Sequence, residues 1–239
     1  MAAGKIYRGA YSYYRNENIY CEETFEVYKD SKEMGFNFVV QLISRVSTGE
    51  LLKIAIDYSI NKNYIPTQVF IDRTLGNEEV KETYTFDNKN NKLKYCFESK
   101  KEKKTVELST GPIFHISTPC VCTSMLFLKS KKFNNTGKNH YTIYNSNNQW
   151  AFEKEPVGKN ILVEKISQSA ENISIDGSTL QATQYKVFED LNEIPLLAKN
   201  ESFIRVFTSS YATIPYIVRT EDGTKIQVKY LNDLTEAEI

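Results

Sequence analysis

His115 stands between Phe114 and Ile116, so a group that titrates near neutrality lies in an apolar run. In an enzyme it is the candidate general base. The competing reading is a buried histidine satisfied by a backbone group, because buried polar groups are as a rule hydrogen-bonded. Arg73, Arg205 and Arg219 fall within or at the end of strand-like segments. A guanidinium presents a planar fork to carboxylates and phosphates. On a concave face these arginines would bind and orient an anionic head group; at a sheet edge they would pair with Asp or Glu. Tyr13, Tyr58 and Trp150 offer broad apolar faces with a polar tip, which suits the wall of a mixed pocket. Asp57, Asp72 and Glu164 would do acid–base work only if the fold paired them.

The remaining chemistry is sparse. Cys120 and Cys122 form C-x-C, not the C-x-x-C of zinc knuckles and redox sites, and only His115 is close in sequence. The expectation is no metal, no cofactor and buried thiols that behave as small hydrophobes. Ser124 lacks the context of a hydrolase nucleophile elbow, and no glycine pattern matches a phosphate loop. Thirty basic and thirty acidic side chains cancel, which argues against nucleic acid as a partner. The opening MAAGKIYRGAYSYY has no apolar core of a signal peptide, and no run is long enough for a membrane-spanning helix. The expected location is the cytoplasm.

The elements that must position these residues are strands. Leu52, Ile54, Ile56 and Tyr58 alternate with Lys53, Ala55 and Asp57, a period of two. Similar runs follow at short intervals, separated by turn signals such as Gly76–Asn77, Asp176–Gly177 and Asp222–Gly223. Pro66 belongs at the start or edge of its strand, because it donates no ladder hydrogen bond. Crossover helices have no room, so the spacing predicts antiparallel pairing. His140–Ser146 and Trp150–Glu155 read as one hairpin, and Asp190–Asn200 as a turn or short helical segment. Between the strand-rich halves, Ser109 to Leu128 contains no Asp, Glu, Lys or Arg. Thr118 as cap and Pro119 at the first position predict a short helix there.

The expected fold is all-β: two antiparallel, strongly curled half-barrel-like sheets with a short central helix or plug. Residues 1–108 form the first half, 109–130 the connection, 131–231 the second half and 232–239 a tail. The run Ile173–Gly177, Leu180, Tyr185–Val187, Ile214–Tyr216 and Asp222–Gly223 resembles bacterial half-barrel proteins of the lipoprotein-carrier-like group and related domains of unknown function. That resemblance covers mainly the C-terminal hundred residues. It implies a sheet curled around an apolar plug, with lipid-like ligands in the hollow. A violet-pigment enzyme that rearranges an indole dimer resembles the same fold, which admits an enzymatic member.

Three functions follow from these readings. The first is binding of a small hydrophobic or amphipathic ligand in a curled β-sheet pocket, with Arg73, Arg205, Arg219, Tyr13, Tyr58 and Trp150 as binding residues. The second is a cofactor-free isomerase, cyclase or lyase with His115 as base. The third is a protein-interaction module, in which exposed sheet edges also offer a homodimer contact.

Overall fold

Apolar–polar alternation builds the strands and selects the face each one buries. In the computed structural model, which describes residues 4–29, 35–146, 148–189, 203–209 and 214–235, eight strands come first. They are β1 (Gly4–Arg15), β2 (Asn18–Lys29), β3 (Phe36–Arg45), β4 (Leu51–Ile60), β5 (Pro66–Leu75), β6 (Glu78–Asp87), β7 (Lys92–Ser99) and β8 (Lys103–Ser109). The central stretch holds a short strand, β9 (His115–Ser117), one helical turn, α1 (Val121–Ser124), and a 3-10 turn over Leu126–Lys129. Seven strands complete the chain: β10 (Lys138–Asn145), β11 (Gly158–Lys165), β12 (Glu171–Ile175), β13 (Ser178–Glu189), β14 (Phe203–Ser209), β15 (Pro215–Arg219) and β16 (Lys225–Asp233). The expected turn or helix at 190–200 lies outside the described residues.

The two expected half-barrel sheets are one. All sixteen strands join a single sheet, in which β8 through β1 pair in meander order and β1 then pairs with β16. The path continues through β15, β14, β13, β11 and β10 to β9, with β12 attached to β13, and among the described residues it does not close. The junction is the long β1–β16 ladder, from Tyr7 opposite Asp233 to Tyr14 opposite Lys225. Composition cannot reveal a ladder between the two ends of a chain, so the halves look separable in sequence although hydrogen bonding fuses them.

One face is buried along most of the sheet, with the edge strand β8 the exception. On β4, Ile54, Ile56, Tyr58 and Ile60 point into the core, and on β7 Leu93, Tyr95 and Phe97 do the same. The central stretch fills the concave side. Phe114, Ile116, Cys120, Val121, Cys122, Leu126, Phe127 and Leu128 are all buried. Both wings of the sheet reach it: Phe114 meets Phe86 of β6 with ring centroids 4.7 Å apart, and Phe127 meets Tyr141 of β10 at 5.1 Å. The sheet therefore wraps around its own connection.

Pro66 is the first residue of β5, and Asp176–Gly177 turns β12 into β13 with both residues at positive φ, as the sequence predicts. Two local expectations fail. The hairpin between His140–Ser146 and Trp150–Glu155 does not form; β10 pairs instead with β11, and Trp150 lies in the intervening loop. Pairing is also not wholly antiparallel, because β9 runs parallel to β10. No helix among the described residues is long and apolar enough to cross a membrane.

Gly9 marks how tightly the junction is built. A Cβ there would lie 2.4 Å from Phe25 Cζ and 2.7 Å from the Tyr230 carbonyl oxygen. Gly9→Ala should therefore destabilise the fold by about 1–3 kcal/mol through overpacking. Urea unfolding measures this, and an unchanged midpoint would refute the close approach.

Candidate functional site

Three charged side chains occupy positions of the strand alternation that should be apolar. Glu23 lies between Cys21 and Phe25 on the inner face of β2, Arg73 follows Val69 and Ile71 on β5, and Glu82 separates Val80 from Tyr84 on β6. A buried charge needs a counter-charge and hydrogen bonds. Arg73 and Glu82 supply this for each other: Nη2 is 2.6 Å from Oε1, with both side chains almost fully buried. The terminal nitrogens of Arg73 also reach the β10–β11 loop, with Nη1 to Asn148 Oδ1 at 2.9 Å and Nη2 to the Gln149 carbonyl at 2.9 Å, while Nε has no partner among the described residues. Glu82 accepts further bonds from Tyr84 Oη at 2.9 Å and Ser146 Oγ at 3.2 Å. The guanidinium also lies 5.9 Å from the Trp150 ring. This pair holds the loop against β5 and β6, which is why Trp150 is not in a hairpin.

Glu23 plays the equivalent part for the central stretch. Its Oε2 accepts the Val121 amide at 2.8 Å and its Oε1 the Cys122 amide at 2.9 Å. Tyr13 Oη donates to the same carboxylate and accepts the Val121 amide at 3.0 Å. The residue before α1, Cys120, makes no side-chain cap, so a glutamate from a distant strand satisfies the first amides of the turn. Thr118, the expected cap, instead accepts the Cys120 amide at 3.3 Å ahead of the turn. Burial drives the Glu23 pKa up to about 7, against the three donors that favour its ionised form.

The other polar groups of the interior are quiet. Tyr58 Oη donates to the Ile116 carbonyl at 3.0 Å and lines neither of the two hollows described below. Both ring nitrogens of His115 lack a hydrogen-bond partner among the described residues. Burial, with a smaller effect from Lys131, lowers its pKa to about 3, so the imidazole is neutral. It packs beside Phe127 and Tyr141 and lines neither of the two hollows described below, and the backbone partner expected for it is not present among the described residues. Cys21, Cys96, Cys120 and Cys122 are free thiols. Burial raises the Cys120 and Cys122 thiols well above the usual range, which leaves them protonated. Among the described residues no cluster of His, Cys, Asp and Glu is arranged to hold a metal ion.

Two adjoining hollows open on the concave side. The larger, 640 Å³, lies between the central stretch and strands β10, β11, β13 and β14. Ile143, Ile161, Val187 and Ile204 form its floor, and Met125 and Phe127 one wall. Its polar rim includes Asn145, Ser146, Thr220, Glu221 and Asp222, with no lysine or arginine among the lining residues. The smaller hollow, 320 Å³, is lined by Tyr13, Tyr20, Leu42, Ile54, Arg73 and Trp150 among others. Pro119 and Asn148 border both.

The structure thus brings Tyr13, Arg73 and Trp150 together. It places Arg205 and Arg219 elsewhere, opposite each other on β14 and β15 and exposed. Their neighbours Val206 and Val218 take the inward positions, so strand parity directs both arginines to the convex face. Glu23 and Glu82 were not among the candidates. Their signal was present in the sequence as a carboxylate at an inward position of an otherwise apolar alternation.

The sequence matches no protein-family model and no curated protein. Solved structures do resemble the fold. A beta-barrel-like protein of the domain of unknown function DUF1849 from Brucella abortus superimposes with a TM-score of 0.58 at 11% identity, over 97% of this chain and 99% of that one. A DUF1089 family protein from Pseudomonas aeruginosa gives a TM-score of 0.53 at 8% identity, over 85% of this chain and 90% of that one. At such identities the likeness is one of fold, and the fold is β-barrel-like.

Glu82→Gln removes the counter-charge of a buried guanidinium and should cost roughly 3–5 kcal/mol, whereas Arg73→Met with Glu82→Leu should recover most of that loss. Urea midpoints of the two variants against the unaltered protein test this; a loss below about 1 kcal/mol for Glu82→Gln would contradict the anchor.

Glu23 should also tie stability to pH. Its folded pKa is raised from 4.5 to about 7, so its contribution is fully present below pH 4.5 and is lost as pH rises through 7. The loss amounts to roughly 3 kcal/mol. Glu23→Gln should flatten this part of the stability profile, and an identical slope in both proteins would exclude Glu23 as its source.

Proposed function

We propose that the chain binds a small amphipathic molecule in the 640 Å³ concave cleft. The observation that carries this reading is the cleft's composition: an aliphatic floor under a polar rim, in the size range of small-molecule sites. Burial of a hydrocarbon body over that floor contributes about 0.8 kcal/mol per CH₂. The rim offers hydroxyls, amides and two carboxylates and no cation. A neutral or cationic polar end therefore fits better than the anionic head expected from the arginines. Arg73 is engaged with Glu82, and Arg205 and Arg219 face away. The adjoining hollow extends the site toward Tyr13 and Trp150 and suits a flat ring, because its walls are aromatic and aliphatic.

His115 lines neither hollow, so the binding reading is favoured over catalysis by that histidine.

Decanol, decylammonium and decanoate form a matched test series. The first two should raise the thermal midpoint, with ligand at a hundredfold excess over Kd adding about 2.7 kcal/mol, and decanoate should do so least. Met125→Trp should intrude on the cleft and diminish the shift. Trp150, the chain's one native tryptophan, lines the smaller hollow only, so its emission reports separately whether that hollow is occupied. No shift with any of the three ligands, or an undiminished shift in Met125→Trp, would overturn the proposal.

A further inference from the structure

The convex face of the C-terminal strands carries a row of cations that is dispersed in the sequence. Register sets Lys186 opposite Arg205, Arg205 opposite Arg219 and Arg219 opposite Lys225. Paired residues share a face, and neighbouring strands lie about 4.8 Å apart. Four consecutive strands, β13 to β16, thus align four positive side chains over about 15 Å. The opposite face at these strands is apolar: Val187 and Ile204 floor the cleft, and Val206 and Val218 are buried.

Like charges directly opposite one another destabilise a sheet. Elsewhere the same chain alternates signs, as in Lys92 with Glu107 at 2.9 Å and Lys103 with Glu98 at 2.6 Å on β7 and β8. Along the row the alternation stops. Glu164 stands opposite Lys186 but also contacts Lys138 at 3.7 Å. Rings brace the cations against the sheet: Arg219 lies 5.9 Å from the Phe207 centroid, and Lys225 Nζ 5.1 Å from that of Tyr14. Between the two arginines is a depression of 260 Å³, bounded by Arg205, Arg219, Thr220 and Glu221. Of the nearby carboxylates, Glu221 sits at its rim, and Asp222 engages Arg15 at 3.9 Å and the Thr224 amide at 3.1 Å. Lys186 and Arg205 make further side-chain contacts; the row is defined by register and does not depend on their being unengaged.

We propose that this row binds a linear oligophosphate, a chain of two or more phosphoryl groups, either free or as the head group of a lipid. The Arg219 fork beside this depression suits bidentate contact with one phosphoryl group, within the field of the neighbouring cations. Lysines on either side act as point charges for the next ones. Single-stranded nucleic acid fits less well, because the rings at the row are covered by the protein's own cations and do not offer free faces for base stacking. The site meets the concave cleft at Thr220 and Glu221, but its cations lie on the other face, so it stands whether or not that cleft binds a ligand.

Titration of the full chain with inorganic tripolyphosphate by calorimetry tests it. Saturable binding is expected, weakening about tenfold or more from 50 to 300 mM salt, with orthophosphate at least about tenfold weaker throughout. Arg219→Gln with Lys225→Gln should lose about tenfold or more in affinity while raising the thermal midpoint, because the like-charge opposition is relieved. Lys92→Gln with Lys103→Gln, on β7 and β8, should leave affinity unchanged. Vesicles containing a polyprenyl diphosphate, whose head group is itself a linear diphosphate, distinguish the two sources: preference for these vesicles over tripolyphosphate assigns a lipid head group, and preference for tripolyphosphate a free oligophosphate. Absence of saturable binding, or equal losses in the two double variants, would overturn the proposal. Tighter binding of a single-stranded DNA oligomer through the same arginine would replace it with a nucleic-acid site.

Discussion

A single sheet curled around its own connecting segment must satisfy the polar backbone of that segment without water. This constraint organises the interior. The central stretch is almost wholly apolar in side chain, but its amides and carbonyls still need partners. The sheet supplies them from inner-face positions, with Tyr13 and Glu23 together at the start of α1, and does the same for the neighbouring loop. Glu23 takes the first amides of α1, Tyr58 takes the Ile116 carbonyl, and Arg73 takes the Gln149 carbonyl in the loop that crosses beside it. Each donor or acceptor is set by strand register, so the plug is held at defined points rather than by apolar contact alone.

The same anchors shape the hollows. The Arg73–Glu82 pair pulls the β10–β11 loop onto β5 and β6 and brings Trp150 over the smaller hollow. Pro119, just before α1, then stands with Asn148 between that hollow and the larger cleft. Removal of either anchor would free backbone at the partition, so the stability of the fold and the shape of the cleft share one physical cause. Arg73 is thus an organiser of the site's wall, a role consistent with its nearly complete burial and its bonds to Glu82, Ser146, Asn148 and Gln149.

The two faces of the C-terminal strands have opposite electrostatic character. The concave cleft is rimmed by Glu221 and Asp222 without a cation, whereas the convex row concentrates Lys186, Arg205, Arg219 and Lys225. A chain with equal numbers of acidic and basic side chains therefore still presents a strongly basic stripe. Net charge averages over surfaces that a ligand meets one at a time.

Strand identity was legible in the sequence because the period-two alternation is local: Ile54, Ile56 and Tyr58 announce the buried face of β4 without reference to any other strand. The turn at Asp176–Gly177 and the placement of Pro66 were legible for the same reason, since backbone restriction acts within a few residues. The central stretch could be recognised as a plug from its lack of charge. Tertiary structure alone decided that β1 and β16 fuse the halves into one sheet, because a ladder between chain ends leaves no local trace. It also decided the helix cap, which comes from Glu23 nearly a hundred residues away and not from Thr118. The arginines divide on the same line: residue type marked all three as anion-binding forks, but strand parity and register sent Arg73 inward to Glu82 and Arg205 and Arg219 outward to the row. Side-chain chemistry is written residue by residue, whereas the partner that uses it is fixed only when distant strands pair.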